Sequence, residues 1–231
     1  MVENRLFLES LLVEQGTPEW HAFRDGLIVT ASGVASAVGL KDAYESRSKY
    51  YRKQKGQESP HAKGFMVNVL RYGNDHEEDA RRLFEDFTGL PVLSLGLGVH
   101  PQLEWLGASP DGLVVMEDGS LALLEIKCPF SGHFATEIAE KYVTQMETQL
   151  QVMGLHTCFF MSWSPDGFSL FRYNRHDRMW NTSILPRLRE FVDLYARGQD
   201  PGRTRRWSLR DEVPDLADHI TFMNCAVPVL E

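Results

Sequence analysis

Three residues of the chain could carry out acid–base or metal chemistry together: Asp111, Glu125 and Lys127. Asp111 lies in Ser109-Pro-Asp-Gly112, and the other two lie in Leu121-Ala-Leu-Leu-Glu-Ile-Lys127. Strand side chains alternate between two faces, so Glu125 and Lys127 share one face of the predicted second strand. A turn at Glu117–Ser120 makes the two runs a hairpin and brings Asp111 back beside Glu125. The sequence therefore predicts a cluster of two carboxylates and one ammonium group.

A bound divalent cation would compensate the negative charge of the two carboxylates in such a cluster. Two carboxylates are costly to bury together, and Mg²⁺ or Mn²⁺ prefers hard oxygen ligands. The carbonyl of Ile126 can add a third oxygen, while Lys127 can polarise a water or a phosphate oxygen. This arrangement suits phosphodiester hydrolysis. The alternative is an exposed Asp-Gly turn with an ordinary surface Glu–Lys pair, which needs no metal.

Two further polar residues are predicted to lie beside this cluster. Apolar residues from Met66 to Phe87 keep helical spacing, and Glu77 falls on or beside their inward stripe, three residues before Ala80. In the helix predicted over Phe134–Met153, Gln145 adjoins the apolar side and could hydrogen-bond a water at the site. The alternative for both is a solvated or boundary position on a helix.

Local signals predict the elements that surround these residues. Thr17 and Pro18 begin a short helix that ends near Arg24, and Thr30-Ala-Ser32 predicts a second helix start. Helix amino termini bind phosphate well. The remaining predictions are a strand over Pro91–His100, a strand hairpin over Thr157–Tyr173, a helix over Asn181–Ala196 and an irregular tail.

Composition and charge narrow the class of protein. The 231 residues are 43% hydrophobic and 24% charged, which suits one sizeable core. A net charge of −8 argues against indiscriminate nucleic-acid binding. Even so, six basic residues between Lys41 and Lys55 could line a phosphate track, and ten arginines lie between Arg172 and Arg210. The alternative for both runs is a solvated helix face.

Other features of the sequence exclude several classes of protein. The sequence has no apolar run long enough to cross a membrane and no visible leader, so no membrane partner and a cytoplasmic location are expected. Its three scattered cysteines support neither a disulfide framework nor a zinc or iron-sulfur centre.

Several motifs follow one another over about residues 16–165. They are Trp20-His-x-x-Arg24, Gly26, Thr30-Ala-Ser32, Tyr72-Gly-x-x-x-Glu77-x-Asp-Ala-Arg81, Ser109-Pro-Asp-Gly112, Glu125-x-Lys-Cys-Pro-Phe130 and Tyr142-x-x-Gln145. Together they closely resemble the phage lambda exonuclease family, or YqaJ-type viral recombinases, of the PD-(D/E)xK nuclease superfamily. The resemblance implies an α/β, restriction-endonuclease-like (PD-(D/E)xK) core with a central mixed sheet flanked by helices. We expect one nuclease domain over residues 1–231, with its core at about 16–196 and the tail 198–231 at an interface.

The resemblance also assigns roles to residues. Asp111, Glu125 and the Ile126 carbonyl would bind Mg²⁺, for which Mn²⁺ would substitute. Lys127 and Glu77 would handle the attacking water, and Gln145 would support the site.

A second group of residues would hold a terminal 5′-phosphate. By the resemblance these are Arg24, Ser32 and Ser109. The stretch from Arg24 to Ser32 is one residue longer here than in the family pattern.

The activity implied by the resemblance is 5′-to-3′ degradation of one strand of linear double-stranded DNA, with release of 5′-mononucleotides. The 3′ overhangs would serve recombination by strand annealing. Double-stranded DNA ends, further copies of the chain in a homotrimeric ring and a single-strand annealing protein are the expected partners, in a bacterial cell and with a phage or prophage origin. Two alternatives remain open: a non-catalytic DNA-binding recombination module and an endonuclease of the same fold.

Overall fold

The computed structural model describes residue 13 and residues 15–59 and 64–226. The helices are α1 Pro18–Asp25, α2 Val34–Val38, α3 Arg47–Gln54, α4 Phe65–Thr88, α5 Glu140–Met153, α6 Asp177–Met179, α7 Leu185–Ala196 and α8 Leu209–Glu212. The strands are β1 Val29–Thr30, β2 Val92–Leu93, β3 Gly98–Val99, β4 Leu106–Ala108, β5 Gly112–Val115, β6 Leu121–Lys127, β7 Thr157–Ser164, β8 Gly167–Asn174 and β9 Ile220–Ala226. Turns of 3₁₀ helix cover Ala31–Gly33 and Leu216–His219, and a π-helical turn, Trp180–Ile184, joins α6 to α7.

A mixed six-stranded sheet forms the centre of the protein. Its strand order is β2-β5-β6-β7-β8-β9, with β6 and β7 parallel and the other neighbours antiparallel. Successive residues of β6 face opposite sides, because Leu123 packs with residues of α2, α5 and α7, whereas Leu124 packs with Ala80 and Phe84 of α4. The sheet is thus covered by helices on both faces, which confirms the predicted fold class.

Helix α5 is the crossover between β6 and β7. Parallel neighbours need such a connection, since a hairpin can join only antiparallel strands. The side of α5 that carries Val143, Met146 and Leu150 is fully buried against the sheet. This packing fixes which α5 side chains lie over β6.

A smaller sheet supports the amino-terminal part of the fold. Its order is β1-β4-β3, and β1 runs parallel to β4. The turn Ala31–Gly33 follows β1 directly and leads into α2. Gly33 is required here, because a Cβ atom at this position would overlap the ring of Tyr50 from α3.

The structure corrects three of the predicted elements. The helix predicted over Phe134–Met153 begins only at Glu140, and the strand predicted over Pro91–His100 is divided into β2 and β3. The tail predicted to be irregular contains α8 and β9, and β9 pairs with β8 as an edge strand of the main sheet. Within the described residues, no helix is both long and apolar enough to cross a bilayer.

Candidate active site

Strand β6 places Glu125 and Lys127 on one face, as the alternation predicts, and the two side chains form an ion pair. Glu125 is fully buried, with 0% of its surface exposed. Asp111 immediately precedes β5, whose Gly112 lies opposite Leu124 of β6. The Asp111 carboxylate accepts a hydrogen bond from the Ile126 backbone N–H, with a 2.6 Å N–O distance. The predicted convergence of two carboxylates and one ammonium group is therefore present.

Two amides from α5 hold Glu125 from the other side. The side-chain nitrogen of Gln145 donates to Oε1 of Glu125 and that of Gln149 donates to Oε2, each at 2.6 Å. Residues four apart lie on the same helix face, so the two glutamines can reach one carboxylate. The sequence prediction included Gln145 and missed Gln149, whose only signal is this four-residue spacing.

Helix α4 contributes Glu77, which is half-buried at the edge of the same cluster. Burial raises the pKa of Glu77; Lys127 opposes this shift and Glu125 adds to it. Its helix neighbours Ala80 and Phe84 are buried in the core, as the predicted inward stripe requires. Glu77 thus places a carboxyl group with a raised pKa beside the other charged groups.

Electrostatics around the cluster are dominated by burial and by carboxylate repulsion. The pKa of Asp111 is raised well above its usual range by burial and then by the charge of Glu125, with Lys127 opposing both. For Lys127, burial favours the neutral amine, but Glu125 and Asp111 together raise its pKa. Lys127 therefore stays protonated and acts as a cation that donates hydrogen bonds.

The donor set fits a divalent metal ion. Asp111, Glu125 and the Ile126 carbonyl offer hard oxygen atoms, and burial together with neighbouring carboxylates raises the pKa values of Asp111 itself and of Glu77 beside the set. The side-chain oxygen of Gln149 is buried and has no hydrogen-bond partner in the described part of the chain. A bound cation with its waters would relieve both features.

The predicted phosphate-binding residues line the same cleft as the charged cluster. This cleft has a volume of about 510 Å³ and is bordered by Arg24, Ser32, Ser109, Asp111 and Lys127, among others. Glu77, Ile126, Gln145 and Gln149 also border it, whereas the buried Glu125 is not among its lining residues. The structure therefore brings all the predicted site residues to one place.

Trp20 organises the end of the cleft at which a terminal phosphate is predicted to bind. Its indole N–H donates to Oγ of Ser109 at 3.2 Å, and the Arg24 guanidinium lies 5.0 Å from the centre of its ring. Ser32 is held near Thr30 by a 3.3 Å contact between the two hydroxyl oxygens. These contacts position a guanidinium and two hydroxyl groups around one end of the cleft.

An aromatic wall beside Lys127 was not predicted as part of the site. Tyr44 and Tyr142 join through their hydroxyl groups at 2.8 Å, and both border the cleft. The Lys127 ammonium lies 5.4 Å from the Tyr142 ring centre, and the Lys141 ammonium lies 3.9 Å from that of Tyr44. The wall thus offers stacking surface and positive charge to a ligand.

The expected phosphate track between Lys41 and Lys55 is largely neutralised. Lys49 and Lys53 both pair with Glu45, and Arg52 pairs with Glu58 and Asp200. The other two paired cations of the segment are Lys41, with Asp211, and the buried Arg47, with Glu190. Most of these cations therefore already have acidic partners within the chain.

A second group of potential metal ligands lies outside the cleft. His176, Asp215 and His219 come within 4.8 Å of one another. The imidazole rings stack with centres 3.9 Å apart and planes 7° apart. In-plane lone pairs on parallel rings cannot converge on an ion about 2.0–2.1 Å from each nitrogen, and Arg178 already pairs with Asp215. We assign this group to packing and hydrogen bonding.

The fold and the cleft define a nuclease core of the PD-(D/E)xK type. The family model of the YqaJ-like viral recombinase domain matches residues 19–156, which span α1 through α5 and every predicted site residue. The chain belongs to this family. None of the curated proteins matches the sequence.

Solved structures agree with the family match. An alkaline exonuclease (LHK-Exo) from Laribacter hongkongensis is 30% identical, with a TM-score of 0.63 over 79% of this chain and 94% of its own. The structure of LHK-Exo in complex with dAMP gives 28% identity and the same score and coverage. A phage related exonuclease from Haemophilus somnus 129PT, 12% identical, shares the fold with a TM-score of 0.55 over 73% and 93% of the two chains. Family and relatives together support a nuclease that acts on DNA.

Proposed function

We propose that the protein is a Mg²⁺-dependent 5′-to-3′ exonuclease that degrades one strand of linear double-stranded DNA and releases 5′-mononucleotides. One observation carries this proposal: the residues suited to a terminal phosphate and those suited to phosphodiester hydrolysis line a single cleft of about 510 Å³ or, in the case of Glu125, directly contact a residue that lines it. An enzyme that recognises an end and cuts beside it needs both groups within reach of one substrate. The cleft meets that requirement.

The residues suited to hydrolysis have different roles, which their charges determine. Glu77, whose pKa burial raises, is a stronger base than an exposed carboxylate and can accept a proton from an attacking water. Lys127 keeps its proton and donates hydrogen bonds to phosphate oxygens as negative charge develops there. Gln145 and Gln149 keep the Glu125 carboxylate in one orientation. A Mg²⁺ ion held by Asp111, Glu125 and Ile126 would supply Lewis-acid stabilisation of that charge.

The phosphate-binding residues favour a chain end over an internal position. A guanidinium fork such as that of Arg24 can hold two oxygens of a terminal phosphate, which carries up to two negative charges near neutral pH. An internal phosphodiester offers less charge and has covalent connections on both sides. Arg24, supported by Trp20, therefore directs the cut to a 5′-phosphorylated end.

The relatives support the same activity. LHK-Exo is an alkaline exonuclease, and its complex with dAMP shows that this relative accommodates a mononucleotide. A mononucleotide is the product that the proposed reaction releases.

The biological setting follows from the family. A viral recombinase domain that leaves 3′ overhangs would deliver them to a single-strand annealing protein in a bacterial cell, from a phage or prophage gene. We place the enzyme in a homotrimeric ring whose lining, rather than whose whole surface, meets phosphate. This arrangement would reconcile a net charge of −8 with DNA binding.

A comparison of DNA forms tests the proposal. Linear duplex with one 5′-labelled strand should be degraded with Mg²⁺, while closed circular DNA should remain intact, and EDTA should stop the reaction. Cleavage of the circle would instead indicate an endonuclease. DNA binding with no product from either form would indicate a non-catalytic recombination module.

A further inference from the structure

An exposed, arginine-rich segment lies outside the catalytic cleft. It consists of Arg203, Thr204, Arg205 and Arg206, all exposed, and we call it the arginine strap. It belongs to the arginine-rich run noted in the sequence, and the mechanism above gives it no role.

The strap is fixed at both ends. Trp207, next to Arg206, forms a parallel bridge with Leu40, and its indole N–H donates to the Val38 carbonyl at 2.7 Å. The guanidinium of Arg187 lies 3.9 Å from the centre of the Trp207 ring. At the other end, Oδ1 of Asp200 accepts from the Gly202 backbone N–H at 2.8 Å, and its Oδ2 accepts from the Ser48 hydroxyl, also at 2.8 Å. Two anchors give the intervening arginines a defined position on the surface.

The strap concentrates positive charge on an otherwise acidic protein. It separates two open clefts of about 620 and 490 Å³, both bordered by Arg47, Thr204 and Arg206. Seven cationic side chains line the two clefts, against four acidic ones, although the whole chain carries a net charge of −8. Such a local excess of cations attracts a polyanion.

None of the three arginines of the strap has an acidic partner in the described ranges, and Arg206 donates to the Lys41 carbonyl. Lys41, Arg52 and Arg187, which line the same clefts, form ion pairs. In contrast, Arg203 and Arg205 form no ion pair with any residue in the described ranges. Their guanidinium groups are therefore available to a ligand, unlike most cations of the expected track between Lys41 and Lys55.

A short path connects the strap to the catalytic cleft. Arg206 donates to the Lys41 carbonyl at 3.3 Å, and the next residue, Asp42, accepts from the Lys141 backbone N–H at 3.0 Å. Lys141 lies over Tyr44, which borders the catalytic cleft. From the cleft outward, the residues that connect it to the strap are thus Lys141, Asp42, Lys41 and Arg206.

We infer that the arginine strap binds the phosphate backbone of the DNA that extends beyond the catalytic cleft. Arginine forks pair well with phosphate oxygens, and contacts of this kind position a duplex without reading its sequence. The inference rests on the proposed function, because it takes the ligand to be the same DNA that the cleft degrades. The strap would increase affinity for long substrates and leave the chemical step unchanged.

Charge reversal combined with a salt titration tests this inference. Arg203→Glu, Arg205→Glu and the double variant are compared with Arg172→Glu, which makes the same charge change at an exposed residue of β8 that borders neither cleft. Fluorescence anisotropy measures binding of a 5′-phosphorylated duplex of about thirty base pairs in EDTA at several salt concentrations. Each lost phosphate contact should reduce the slope of log K against log salt by about 1, so the double variant should lose about 2. Its maximal rate at saturating DNA with Mg²⁺ should match wild type.

The outcomes separate the inference from the proposed function. A slope that is unchanged in the strap variants would overturn the inference. An equal loss in Arg172→Glu would overturn it as well, because net charge alone would then explain the effect. If wild-type protein failed to degrade linear duplex, the proposed function itself would be wrong, independently of the binding result for the strap. Circular dichroism verifies folding, and Arg203→Gln with Arg205→Gln provides a milder second pair.

Discussion

Gln149 should matter more for catalysis than Gln145. Oε1 of Glu125 accepts from Gln145 and also pairs with Lys127, whereas Oε2 accepts from Gln149 and from no other side chain in the described residues. Removing Gln149 leaves one oxygen of a fully buried carboxylate without a side-chain hydrogen bond from the described residues. Removing Gln145 leaves Oε1 still paired with the Lys127 ammonium.

The size of the effect follows from the bond that is lost. A hydrogen bond to a charged group contributes about 1.5–3 kcal/mol, and each 1.36 kcal/mol of activation free energy is tenfold in rate, so Gln149→Met should lower kcat by roughly 10- to 150-fold. The loss of kcat in Gln145→Met should lie at or below the lower end of this range. The double variant should lose less than the two effects added together, because both amides orient the same carboxylate.

The assay is the initial rate on linear duplex at saturating DNA and Mg²⁺, with unfolding free energy from urea titration measured in parallel. The same helix offers a matched control, since Gln151 donates to Glu147 at 2.8 Å but borders no part of the cleft. Gln151→Met removes this amide–carboxylate bond together with a second one to Asp177, also at 2.8 Å, so it should reduce stability and leave kcat unchanged. A wild-type kcat in Gln149→Met, or a larger loss of kcat in Gln145→Met, would contradict the greater importance of the Gln149 hydrogen bond.

Three further perturbations probe the charged groups. Lys127→Met should lower kcat by about 10²–10³-fold while Lys127→Arg retains more activity, because a cation must face the developing phosphate charge; equal rates for the two variants would contradict this role. In EDTA, the unfolding free energy should fall as the pH rises above about 4 and through the raised native pKa values of Asp111 and Glu77. The folded state then keeps protons that the unfolded chain has released, so unfolding releases protons. Urea titrations over about pH 5–9 measure this slope, and Asp111→Asn should flatten it. Arg24→Ala should be slow on both 5′-phosphate and 5′-hydroxyl duplexes, whereas wild type should be slow only on the 5′-hydroxyl duplex. The initial rates of the two proteins on the two substrates test this prediction. An Arg24→Ala variant that still preferred the 5′-phosphate would place the phosphate pocket elsewhere.

Local pattern predicted the parts of the site that depend on one element. The alternation along β6 is enough to place Glu125 and Lys127 together, and helical spacing is enough to turn Glu77 toward the core. Gln149 could not be predicted in the same way, because its partner is set by how α5 crosses over β6. A glutamine four residues after Gln145 otherwise resembles any polar helix boundary.

Tertiary contacts explain the elements that the sequence pattern placed wrongly. The stretch before Glu140 has helical composition, yet the Ala135 N–H donates to Oγ of Ser162 rather than to a carbonyl of a helix, while the Ala135 carbonyl accepts from Ser169. These bonds to β7 and β8 hold the backbone out of a helix. Strand β9 lacks clear alternation, and its pairing with β8 shifts register between Leu170 and Phe171, so its pattern gives little sign of a strand.

The parallel pairing of β6 with β7 affects when the site can form during synthesis. A ribosome makes the chain from its amino terminus, so Arg24, Glu77, Asp111 and Glu125 all emerge before α5 and well before β7. Until α5 has crossed the sheet, Glu125 has neither amide to hold it. A nascent chain therefore contains most of the site residues before they are arranged. The site can form only after α5 has been synthesised and has packed over β6.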